Sequence, residues 1–182
     1  MKVTVMRDTR KLVLISVLIS LSVVLGIIDK YISSFILPGA ISARLGLANI
    51  VIMLGIIYLN FKDVLLIAIL KSVLIGLILG RFDVFIYGFS GTMLSFFGMW
   101  MLYKFTKDWF SLIGISLIGA ILHIIGQVTA VHWLLISDIG YFSLYFIVNP
   151  FLIPASMITG VMIGILTKSL IRYVDNSGIF KR

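Results

Sequence analysis

The sequence predicts an all-α integral membrane protein, one domain of six transmembrane helices, and three observations carry that reading. Of 182 residues, 61% are hydrophobic, and the mean hydropathy is +1.20; this is beyond what a water-soluble domain carries. Apolar runs recur at close to the roughly 20 residues that cross a bilayer as a helix. The basic residues, finally, divide unequally between alternate connections, as they do in multi-pass membrane proteins.

Taken in order, the spans fall at about 12–28, 43–60, 64–80, 84–103, 111–137 and 142–171. The first, "LVLISVLISLSVVLGII", is almost purely apolar and carries Ser16 and Ser20 in a small-xxx-small spacing. Such spacing lets another helix approach closely in lipid, either a partner protein's or one of this chain's own. Arg7, Arg10 and Lys11 before it could mark a signal peptide. The apolar stretch is long for one and no small-residue cleavage site follows cleanly, so a retained helix is the better reading.

A connection follows the first span, "DKYISSFILPGAISAR", residues 29–44. It mixes aromatic, apolar and turn residues where a purely solvated loop would be polar. Tyr31, Phe35, Ile36 and Leu37 suit either a lid over the protein mouth or an interfacial loop among lipid headgroups. The second span opens with Arg44 and carries Asn49 inside its apolar run.

The third span, "LLIAILKSVLIGLILG", places Lys71 near the midplane. At a rise of about 1.5 Å per residue, roughly 14 Å separates it from either end, beyond the reach of a snorkelling stem. A lysine there costs about 2.5 to 3.5 kcal/mol on insertion scales. No aspartate falls within any of the six spans as drawn, which leaves amides, carbonyls, water or an anionic ligand as partners. Solvation between helices by water is the plain structural alternative.

The fourth span carries Tyr87 and Ser90 in its outer half. In the fifth, His123 and Gln127 lie one turn apart on a single face. Packing bonds between helices would explain that stripe without any ligand. His132, nine residues after His123, points to the opposite side and belongs at the rim. Gly114, Gly119, Ala120 and Gly126 suit tight helix packing. The sixth span holds Asn149, and Pro150 and Pro154 predict a kink there.

Orientation comes from charge. Six spans put both termini on one side with the connections near 61 and 107, and that side holds eleven of the fifteen lysines and arginines against three opposite. Both termini are therefore expected in the cytoplasm of a prokaryotic cell membrane, and the net charge of +8 is read as basic loops facing anionic lipid rather than nucleic acid. The polar groups Arg44, Asn49, Lys71, Tyr87, Ser90, His123, Gln127 and Asn149 would then concentrate between the midplane and the external face. One outward-open cavity for a small-molecule substrate accounts for them together, and Lys71 with Arg44 points to an anionic group.

Catalysis has little to stand on. The chain has no cysteine and no glutamate, which removes thiolate chemistry and cysteine metal sites. No metal site or cofactor is expected. The seven aspartates are scattered, with no two within four residues of each other, whereas diphosphate chemistry needs clustered carboxylates to hold magnesium.

Three blocks carry a family resemblance: "GAISARLGLANIVIMLGIIYLNFKDVLLIAILKSVLIGLILG", "FSGTMLSFFGMWML" and "FSLIGISLIGAILHIIGQVTA". Over roughly residues 38–130 the chain resembles the Gx transporter family, also labelled heptaprenyl diphosphate synthase component I. That family is similar to the substrate-binding S components of energy-coupling factor (ECF) transporters. Its members have asparagine after the histidine, where this chain has Ile124, and arginine near the position of Lys71. The resemblance implies an S-component-like bundle of six helices, cytoplasmic termini, and an outward pocket for a vitamin-like or other small organic substrate. It also implies docking through small residues of the first helix, here Ser16 and Ser20, onto a transmembrane T component with two ATPase subunits. The chain has no phosphate-binding glycine loop of its own to power uptake. An alternative is a membrane subunit associated with isoprenoid or quinone metabolism, or with flavin-based extracellular electron transfer, without uptake.

Overall fold

The computed structural model describes residues 8–36, 45–106, 109–136 and 150–177. Within them the chain forms six α-helices and no strand: α1 (Asp8–Ile36), α2 (Asn49–Tyr58), α3 (Phe61–Ile78), α4 (Phe82–Phe105), α5 (Leu112–Val131) and α6 (Leu152–Ser177). A π-helical turn, His132–Ile136, prolongs α5. Four segments are long and apolar enough to cross a membrane: Thr9–Phe35, Phe82–Phe105, Leu112–Leu134 and Leu152–Asn176. The other two expected spans take a different form. Helix α3 has 18 residues and carries Lys62, Asp63 and Lys71, and α2 has only 10, or about 15 Å of rise.

Local signals account for several helix ends. Ser111 caps α5 by accepting the Gly114 N–H at 3.2 Å. Helix α3 closes in a Schellman motif, in which the Arg81 N–H reaches the Gly76 carbonyl and the Gly80 N–H that of Leu77, both at 3.1 Å. Gly80 holds the left-handed position there, φ 61°. Pro154 sits in the first turn of α6, where its missing N–H has no helical acceptor to lose. It therefore starts a helix, and the kink expected from the two prolines is not in the described part of that span.

The first connection departs most from expectation. The chain stays helical through Ile36, eight residues past the expected end of the first span. No glycine or proline interrupts it between Gly26 and Pro38, so nothing stops the helix earlier. Tyr31 and Phe35 are therefore helical and exposed, at 66% and 89%, while Leu37 lies outside the described residues.

Helix α2 occupies the middle and touches each of the other five helices. Around it, α1 packs on α3, α3 on α4, α4 on α5 and α5 on α6. Lys11 of α1 pairs with Asp63 of α3 at 2.8 Å, and the Tyr58 hydroxyl of α2 donates to Asp175 of α6 at 2.9 Å. These contacts put the start of α1, the α2–α3 turn and the end of α6 at one end of the bundle. Helices successive in the chain thus alternate in direction, and α1 and α3, which pack on each other, run parallel.

Two interfaces are made by glycine. A Cβ on Gly126 of α5 would stand 2.7 Å from the Ser90 carbonyl and 2.8 Å from the Gly91 Cα of α4. One on Gly164 of α6 would stand 2.6 Å from the Ile113 Cα of α5. Backbone cannot move aside as a side chain can, so α4, α5 and α6 sit this close only where a residue has no Cβ. Gly119 and Ala120 are buried against neighbours as well. The outward surface is apolar, with Leu12, Val17, Val24, Leu77, Phe105, Ile158 and Met162 all at least half exposed.

Candidate functional site

A polar cluster fills the end of the bundle away from the Lys11–Asp63 pair. It gathers around four non-helical residues, Leu45 to Ala48, that lead into α2. Irregular backbone at membrane depth needs internal partners for its N–H and C=O groups. Helix α1 supplies two: Asp29 Oδ2 accepts the Gly46 N–H at 2.9 Å, and Ser33 Oγ accepts the Leu45 N–H at 3.1 Å. The Ser33 hydroxyl in turn donates to Asp29 Oδ1 at 3.3 Å. Helix α6 supplies a third, the Thr159 hydroxyl donating to the Leu45 carbonyl at 3.2 Å. The Asp29 carboxylate thereby sits before the N-terminus of α2, where exposed N–H groups favour negative charge.

Gly46 is needed for this turn twice over. Its φ of 89° lies in the left-handed region, and a Cβ would stand 2.9 Å from Asn49 Nδ2 and 3.3 Å from the His123 ring. Gly91 presses on His123 from α4, where a Cβ would meet the ring at 3.1 Å and the His123 carbonyl at 2.7 Å. The imidazole thus lies in a slot between Gly46 of the non-helical turn and Gly91 of α4.

Asn49 is the hub between α2, α3 and α4. Its Oδ1 accepts from Lys71 Nζ at 3.4 Å, a long bond, and its Nδ2 donates to Ser95 Oγ at 3.3 Å. One turn apart on α5, the Gln127 side-chain amide and His123 Nε2 stand 2.8 Å from each other. Asn49, Lys71, His123 and Gln127 are all buried. Between these groups is a void of about 10 Å³, lined by Asp29, Gly46, Lys71, Ser72, Thr92 and His123 among others. That is room for about one water. The described groups therefore meet one another instead of lining the wide outward-open chamber expected from the sequence.

Of the eight candidate binding residues, Asn49, Lys71, His123 and Gln127 come together here. Tyr87 and Ser90 do not. Tyr87 is buried in an apolar cluster with Ile86, Ala130 and Val131, and the Ser90 hydroxyl donates to the Gly126 carbonyl at 2.8 Å across the α4–α5 contact. Arg44 and Asn149 lie outside the described residues. Ser16 and Ser20 are exposed on α1, their hydroxyls donating to carbonyls of their own helix, Leu12 at 2.9 Å and Ser16 at 3.0 Å. They do not pack on another helix among the described residues.

Sequence reasoning did not find Asp29, Ser33, Gly46, Ser95 or Thr159. Asp29 corrects an explicit expectation. A carboxylate does lie inside a span, because α1 continues past it, and it is 2% exposed. Its signal was present in the uninterrupted helical pattern that runs on to Pro38.

An all-helical bundle with an apolar exterior, a charged and amide-rich interior, and four membrane-length helices defines an integral membrane subunit. No group of three or more metal-ligating side chains occurs among the described residues. The family model described as heptaprenyl diphosphate synthase component I matches residues 18–170, and the chain belongs to that family. No curated protein and no solved structure matches the chain.

Proposed function

We propose that the chain is the substrate-binding S component of an ECF-type uptake transporter for a small, vitamin-like organic molecule. The observation that carries this reading is the convergence of buried polar side chains from all six helices on one end of the bundle. Packing alone asks for no such concentration, because polar groups inside a membrane protein are costly and mark sites of function. Asn49, Lys71, His123 and Gln127 are its binding groups, and Arg44, Tyr87, Ser90 and Asn149 complete its outer wall. Binding then requires the cluster to open, since a small-molecule site needs roughly 300 Å³ or more. The Leu45–Ala48 turn is the natural part to move, being held by three side-chain hydrogen bonds rather than by helix.

On this reading the Lys11–Asp63 end faces the cytoplasm with both termini. The outer face of α1 around Ser16 and Ser20 meets the T component, which carries the two ATPases. The test is affinity purification of the tagged chain from its own membranes. Co-purifying ATPase subunits, reduced when Ser16 and Ser20 are both replaced by leucine, are the expected result. Their absence would remove the transport reading.

The family description favours a second reading, a membrane subunit working beside an isoprenoid-synthesising enzyme without uptake. In that case the same purification returns a prenyltransferase subunit in place of the ATPases. Catalysis by this chain alone is not proposed, because its aspartates form no magnesium-binding cluster among the described residues.

A further inference from the structure

A second hollow lies on the outside of the bundle, at the α3–α4 turn, and it encloses about 380 Å³. Its walls are Val73 and Leu77 of α3 with Phe82 and Phe85 of α4, and Arg81 stands in the turn between them. Glycines make the room. A Cβ on Gly76 would stand 2.6 Å from Phe85 Cβ, so α3 and α4 close on each other there, whereas one on Gly80 would meet nothing within 4 Å. Leu77 and Phe82 are 70% and 74% exposed, so the groove is open to whatever surrounds the bundle. It lies at the end of α3 away from Asp63, the outer leaflet in the orientation proposed above. From Val73 to Gly80 it runs about 10 Å along α3, roughly the outer third of a hydrocarbon core. Water there would find few polar partners, so a hydrocarbon chain suits the groove.

We propose that this groove binds a membrane phospholipid, with one acyl chain along Val73, Leu77 and Phe85 and the phosphate on Arg81. The site is separate from the polar cluster and independent of the substrate-binding reading. Arg81 is the one charged side chain among the described residues that line the groove, and it stands at the end nearest the membrane surface. Its guanidinium is held in place by Asp83: Nε donates to Oδ1 at 3.1 Å and Nη2 donates to Oδ2. Of its five N–H donors, the two on Nη1 and one on Nη2 are left for another acceptor. A guanidinium fixed in this way suits phosphate oxygens, which take paired N–H bonds. Asp83 offsets much of the Arg81 charge, so a free phosphate ion is a poor ligand and the acyl chain must supply much of the binding. A chain in the apolar groove and a phosphate at its mouth are the two ends of a single phospholipid.

The test is native mass spectrometry of the full-length chain in detergent, titrated with dioleoylphosphatidylcholine or with dioleoylglycerol, which has the same chains and no phosphate. The parent should retain phosphatidylcholine at concentrations where dioleoylglycerol is lost, and sodium phosphate should not compete. Arg81→Gln should weaken phosphatidylcholine binding about fivefold and leave dioleoylglycerol unchanged. Lys62→Gln removes a charge from the opposite end of α3 and should bind both lipids as the parent does. Val73→Phe fills the groove and should lower retention of both. Equal retention by the parent and Val73→Phe overturns the site. A loss in Lys62→Gln as large as in Arg81→Gln shows general attraction to charge and overturns the phosphate contact. Competition by sodium phosphate gives Arg81 to the free ion, and a dimer that dissociates on Leu77→Asn gives the groove to a second copy; either overturns the lipid. Should Val73→Phe fail to fold, Leu77→Asn decides, since it puts an amide into the groove at an exposed position. It should lower retention of both lipids, and unchanged retention there ends the proposal. Missing ATPase partners would sink the transport reading and leave this one standing.

Discussion

Toward the Lys11–Asp63 end the interior of the bundle is mostly hydrocarbon: Val51, Ile52, Ile67, Phe96, Met99 and Ile115 are buried together, with the hydroxyls of Ser116 and Thr167 buried in the same half. Toward the other end the same helices bury Asp29, Ser33, Asn49, Lys71, His123 and Gln127. The first half is ordered by shape, with Phe96 against Phe61 at 5.2 Å and Phe97 at 5.3 Å between ring centroids. The second is ordered by hydrogen bonds that join side chains of one helix to backbone or side chains of another. In lipid, apolar surface alone gives no strong preference for protein over membrane, so packing density holds the first half. In the second half each polar group restricts where its neighbours can be, which fixes the non-helical turn into α2. A half packed by shape beneath a half that can exchange hydrogen bonds suits the opening that the proposed substrate binding requires.

The two halves also differ in how much of them the sequence discloses. Apolar runs are legible because length and composition alone set them, and four of them coincide with helices long and apolar enough to cross a membrane. Asn49, Lys71, His123 and Gln127 could be placed at one depth by counting residues. Counting does not give rotation about the helix axis: Tyr87 and Ser90 turn toward α5 in the bundle and not toward Asn49. Asp29 was lost for another reason. Its charge marked the end of a span in a reading by hydropathy, although the helix runs on to Ile36. A buried carboxylate on a helix that outruns its apolar stretch looks, in sequence, like a loop.

The comparison can be broken most strongly from the apolar half. Phe96 is fully buried and touches two aromatic neighbours. Phe96→Ala should cost about 3 kcal/mol, mostly as an unfilled cavity, read by reversible unfolding in detergent or bicelles. A loss below about 1 kcal/mol would mean that this half repacks freely and is not held by shape. The polar cluster should remain intact, so the Leu45 and Gly46 amides, bonded to Ser33 and Asp29, should keep their exchange protection in the Phe96→Ala background.

Removing a hydroxyl from the polar half should cost less and act more locally. Ser33→Ala strips the Leu45 N–H of its acceptor, leaving a buried donor unsatisfied at about 1 to 3 kcal/mol. Hydrogen exchange of the Leu45 and Gly46 amides should speed up while the amides of α4 and α5 keep their protection. Equal acceleration throughout would show that the turn opens only with the whole bundle. Asn49→Leu should come next, at about 1 kcal/mol. It removes an acceptor from Lys71 and a donor to Ser95, and both contacts are long.

The smallest effect on stability is expected where the effect on partnership is largest. Ser16 and Ser20 are exposed, and their hydroxyls are satisfied within α1. Leucine at both positions adds volume where no described helix stands and leaves no buried polar group behind. Their flank is already apolar, with Leu12, Val13 and Val17 more than half exposed, so leucine matches its surroundings. Stability in detergent should therefore change by less than about 0.5 kcal/mol, and the polar half should respond to Ser33→Ala as in the parent. A partner helix that needs close approach along this face would be held off by two leucine side chains, so co-purification should fall sharply. A double variant that instead unfolds at a much lower temperature would show that this face of α1 is packed within the protein, and the docking surface would have to be sought elsewhere.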